Sequence, residues 1–181
     1  MRHKLAYVSV SVFALGLIAV GIAIASMPGP DYLDVASWKA VSKSKGTAVL
    51  SVTTKGTIPI HPDSFIRSNP VVGFAWVDSQ TSKAFVATIH PVIGRDSNQN
   101  PRAWHAHTVT LTGGATAPDD LCLASIASKP TVGLSIHGAT MRINARASTL
   151  PVPLTAFDLA TGFTVQHDAA CASGLGVRLS T

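Results

Sequence analysis

The sequence predicts an all-β fold. The form expected is an antiparallel β-sandwich or a small Greek-key-like barrel of about 8–10 short strands, preceded by one N-terminal hydrophobic helix. Three observations carry that prediction. There is no Glu among the nine acids, while Ser and Thr number 35 and Val is abundant. Glu is a good helix former, and Thr and Val favour strands. After Gly46 the chain reads as short alternating runs split by turn residues. Before Pro28, Leu5 to Met27 form a run of 23 residues without a charge, directly behind Arg2, His3 and Lys4.

That first run fixes the topology. At about 1.5 Å per residue it reaches roughly 35 Å, enough for a hydrocarbon core of about 30 Å. It also carries a basic start, an apolar middle and the small-residue exit Ala23-Ile24-Ala25. Residues 1–27 therefore read as an uncleaved membrane anchor or as a signal peptide cleaved after Ala25. Either way, Arg2 and Lys4 precede the run and Asp31 and Asp34 follow it, so the basic end stays cytoplasmic and the rest lies outside.

Residues 28–46 read as a linker, with a short helix after Asp31 as its one candidate element. Residues 47–181 read as the extracytoplasmic β-domain. Thr47–Thr54 alternates, with Ala48, Leu50 and Val52 on one face. Val71–Asp78 is apolar on both faces, the mark of a central covered strand. Ser79–Ser82 links it to a strand over Lys83–His90 as a hairpin. In Trp104–Thr112 the threonines take one face, and Val109 and Leu111 take the other. Leu121–Ile126 makes a short strand. Val132, Leu134 and Ile136 share a face, and Met141, Ile143 and Ala145 alternate with Arg142, Asn144 and Arg146. Residues 154–166 and 175–180 supply the last strands, with Leu175, Val177 and Leu179 facing inward.

The balance of charge narrows the partners. The net charge is +5 and the pI about 9.6. After Met27 there are 12 Lys and Arg against nine acids, so no basic patch dominates. Lys39, Lys43 and Lys45 read as a solvated face. No interleaving of aromatic and basic residues points to nucleic acid, and the exported location argues against it. The partners expected are the membrane, through the N-terminal segment, and proteins at the cell surface. Cys122 and Cys171 are the only cysteines, and outside the cytoplasm a pair reads as a disulfide.

The candidate chemistry lies in histidines. His105-Ala106-His107 puts two imidazoles on one strand face, the face that continues as Val109 and Leu111. His90 ends the preceding strand, so pairing of the two strands brings it beside His105. Three neutral imidazoles suit copper or zinc. Asp96, Asn98 and Asn100 read as an Asx-rich turn, and His61-Pro62-Asp63 as an isolated loop contact. His137 and His167 read as ordinary strand residues. No nucleophile elbow, phosphate loop or H-E-x-x-H is present, and the Asp residues form no catalytic pair. Two functions follow: an exported, membrane-anchored, non-catalytic module of accessory, adhesive or envelope-structural type, or a copper- or zinc-binding domain built on His90, His105 and His107.

Overall fold

The computed structural model describes residues 30–43, 46–60, 71–90, 103–116 and 120–180. The N-terminal apolar run, Lys45, the His61–Asp63 contact and the Asp96–Asn100 turn lie outside them. Among the described residues no helix is long and apolar enough to cross a membrane. Among the described residues ten strands follow one another: β1 (Val35–Lys43), β2 (Thr47–Thr54), β3 (Val71–Asp78), β4 (Lys83–Ile89), β5 (His105–Thr112), β6 (Leu121–Ser128), β7 (Gly133–His137), β8 (Thr140–Arg146), β9 (Leu159–His167) and β10 (Leu175–Leu179).

Six of them close into an antiparallel barrel in the order β10-β6-β5-β4-β3-β9. The other four form an antiparallel sheet in the order β1-β2-β8-β7. The expected all-β antiparallel class holds, with a barrel and an added sheet together.

Alternation explains how the layers meet. The outer face of the barrel wall carries Phe74 and Trp76 on β3 with Phe85, Ala87 and Ile89 on β4. These pack against Leu50, Val52, Met141 and Ile143 of the sheet. The opposite faces of the same strands, with Ala75, Val77 and Val86, turn into the lumen beside Val109, Phe163, Val165 and Val177. This is why β3 is apolar on both faces: it separates two cores. Truncating a buried aromatic such as Phe85 to Ala typically costs about 3–5 kcal/mol.

The expected linker over residues 28–46 is corrected by the structure. Val35–Lys43 is no helix and no plain connector; it pairs with β2 from Val35↔Thr54 to Lys43↔Thr47. Trp38 and Ala40 are half-buried between exposed Ser37, Lys39 and Val41, a period of two rather than 3.6. Just ahead of it, Leu33 is fully buried. A Cβ on Gly162 would lie 2.1 Å from the Leu33 carbonyl oxygen, so glycine is what lets this segment lie against β9.

The barrel closes at its weakest ladder. β6 and β10 share only Gly176↔Cys122 and Val177↔Leu121. The Cys122–Cys171 disulfide ties β6 to the turn between β9 and β10 at this seam, with Cα atoms 5.4 Å apart.

Candidate metal centre

Register builds the site. β4 and β5 pair antiparallel with Val86↔His107 and Thr88↔His105. In an antiparallel sheet, residues directly opposite share a face. The lumen face of β4, with Val86 and Thr88, therefore continues across as His107 and His105. His90 lies two residues beyond Thr88 and so turns the same way. The outward-facing residues Ala87, Ile89 and Ala106 pack into the inter-layer core and hold this wall in place. All three histidines are buried, at 6%, 8% and 4% exposure for His90, His105 and His107.

The three rings converge. Each offers one ring nitrogen such that these atoms all lie within 4.8 Å of one another. Ring centroids are 4.7 Å apart for His90–His105, 4.9 Å for His105–His107 and 6.2 Å for His90–His107. His90 Nε2 and His105 Nε2 approach to 3.0 Å. His105 Nδ1 lies 3.0 Å from the Ala103 carbonyl oxygen. A carbonyl only accepts, so Nδ1 carries the hydrogen and donates it. The Nε2 lone pair of His105 is then left to face His90, whose Nε2–H donates into it. Backbone anchoring of one ring nitrogen to orient the other is the usual support of a histidine ligand.

The donor set fits a transition metal. Ligand bonds of about 2.0–2.1 Å at a tetrahedral ion place neighbouring nitrogens about 3.3 Å apart. The His90–His105 separation lies close to that. An ion would take the place of the proton the two rings share. Among the described residues the group contains no carboxylate and no thiolate, so three neutral imidazoles would be its protein ligands. Copper and zinc both accept such nitrogen.

The other sequence candidates lie elsewhere. His137 and His167 are exposed at strand ends, and Lys39 and Lys43 are exposed on β1. Cys122 and Cys171 are joined to each other. Two features were missed by sequence reading. One is the lumen beside the histidines, a cavity of about 150 Å³ lined by residues from all six barrel strands. The other is Asp168. Its carboxylate accepts from Thr116 N at 2.8 Å, Thr116 Oγ1 at 2.6 Å and Ala170 N at 2.9 Å. The Thr116 hydroxyl first, then these amides, hold its pKa below the usual carboxylate value. Asp168 thereby clasps the β5–β6 loop to the end of β9. The Asp-x-x-Cys spacing before Cys171 was its only local signal.

No family model, no curated protein and no solved structure matches this chain.

Proposed function

We propose that the chain is an exported, membrane-tethered, non-catalytic accessory domain that carries one transition-metal ion, copper or zinc, on His90, His105 and His107. The observation that carries this reading is the convergence of three buried imidazole nitrogens within 4.8 Å. Three imidazoles gathered at one end of the barrel lumen can share one metal ion. The Cys122–Cys171 disulfide supports the exported location, since such bonds persist in oxidising compartments. The 23-residue uncharged run supplies the tether.

Copper is favoured over zinc on charge. Three neutral ligands bring no negative charge, and the cost of a buried net charge rises steeply with its size. Monovalent copper leaves one positive charge in the barrel, where a divalent ion leaves two. The role proposed is that of a holder of metal.

The test is metal stoichiometry on the untagged protein, stripped and then loaded with copper or with zinc and dialysed. About one ion per chain is expected, and essentially none in the double variant His105→Ala, His107→Ala with unchanged thermal unfolding of the apo form. Equal retention by the double variant, or no retention by the wild type, overturns the proposal.

A further inference from the structure

The barrel lumen is a chamber of about 150 Å³ whose wall includes Val86, Val109, Phe163, Val165, His90 and His107. A chamber of that size has room for a benzene-sized molecule. Ala75 stands in the wall where a larger residue is usual in a core. The remaining polar wall residues are His90, His107 and Thr88. The Thr88 hydroxyl donates to the Val72 carbonyl at 2.8 Å. The polarity is therefore gathered at the histidine end, and the rest of the wall is apolar.

The lumen also reaches solvent. Ile126 and Leu175 line it, yet they are 51% and 39% exposed. Apolar surface thus runs continuously from the chamber to the outside, at the β6–β10 seam where the ladder is two pairs long. Among the described residues no Lys or Arg stands in the wall, so a charged guest would meet no counter-charge from them. A neutral guest with one polar atom meets the chamber's chemistry. Rigid rings also lose less freedom on binding than chains of the same size.

We propose that the lumen is a binding site for a neutral monocyclic aromatic of phenol size, its ring among Val86, Val109, Phe163 and Val165 and its hydroxyl toward the His90–His107 end. The site goes beyond the metal reading and does not require it, because its wall is made of side chains of the protein alone.

Metal-stripped, disulfide-intact protein is titrated with phenol, benzene and benzoate by calorimetry. Burial of a ring's surface at the usual coefficient corresponds to a Kd near about 1 mM. Phenol should bind with one site per chain, benzene about 3- to 10-fold more weakly for want of the polar contact, and benzoate not measurably. Ala75→Leu, which fills the chamber, should abolish phenol binding while leaving metal stoichiometry unchanged. If that variant fails to fold, Val177→Ile serves as the smaller filling and should weaken binding. The proposal is overturned if phenol and benzene show no saturable binding to the wild type up to about 10 mM. It is overturned equally if benzoate binds as well as phenol, or if a folded filling variant binds phenol unchanged. Loss of metal binding with retained phenol binding would sink the metal reading and leave this one standing.

Discussion

Removing the disulfide should destabilise the barrel unevenly. The change is the pair Cys122→Ala and Cys171→Ala, chosen because both positions are buried and a serine would bury a hydroxyl. The two cysteines are 49 residues apart in sequence. Closing a loop of that length removes unfolded-chain entropy equivalent to about 4 kcal/mol at 25 °C, an upper guide. For a domain of this size that corresponds to a melting temperature lower by about 10 °C. The loss should not spread evenly. β6 and β10 share two residue pairs, whereas β3 and β4 share seven, from Val72↔Ile89 to Asp78↔Lys83. The seam should therefore open first. Urea unfolding followed by circular dichroism measures the first effect, and amide hydrogen exchange the second. Exchange at Leu121, Cys122 and Val177 should accelerate well ahead of exchange at Phe74, Ala75 and Phe85. A stability loss below about 1 kcal/mol, or acceleration shared equally by β3 and β4, would refute the seam as the place where the barrel is held shut.

Gly73→Ala should cost about 1–3 kcal/mol, because its Cβ would stand 2.3 Å from the Ala87 carbonyl oxygen and 2.8 Å from the Phe163 ring; chemical denaturation reads it, and a neutral result counts against the lumen packing. Asp168→Asn should weaken the wild-type dependence of stability on acid. The depressed Asp168 pKa contributes stability that is present above the unfolded value of about 3.9 and is lost as pH falls through the folded one. The denaturation midpoint of the wild type should therefore drop below about pH 4 more steeply than that of the variant. Retained copper should fall as pH is lowered, since imidazole binds metal only when neutral; metal retained after dialysis across an acid pH series reads it, and retention that never falls with acid contradicts an all-histidine ligand set.

Strand identity was legible because it depends on local alternation. Leu50, Val52, Met141 and Ile143 announce their shared face two residues at a time, and the structure places them in one core. His105 and His107 were legible for the same reason, and His90 followed from strand pairing. β1 was hidden because Trp38 and Ala40 are only half-buried on an edge strand, which leaves the alternation weak. The lumen was hidden because closure is a property of the whole barrel. Nothing near Ile126 or Leu175 signals that they stand on one rim. The Asp168 clasp was hidden because Thr116 lies 52 residues away.

The central claim is that His90, His105 and His107 together hold one ion. X-ray absorption spectroscopy of the copper-loaded, untagged protein counts the imidazoles around the metal directly. Three imidazole nitrogens at about 2.0 Å in the wild type, with no retained copper signal in the double variant His105→Ala, His107→Ala, is the result predicted. A single imidazole in the wild type, or a spectrum unchanged by the double substitution, would contradict it.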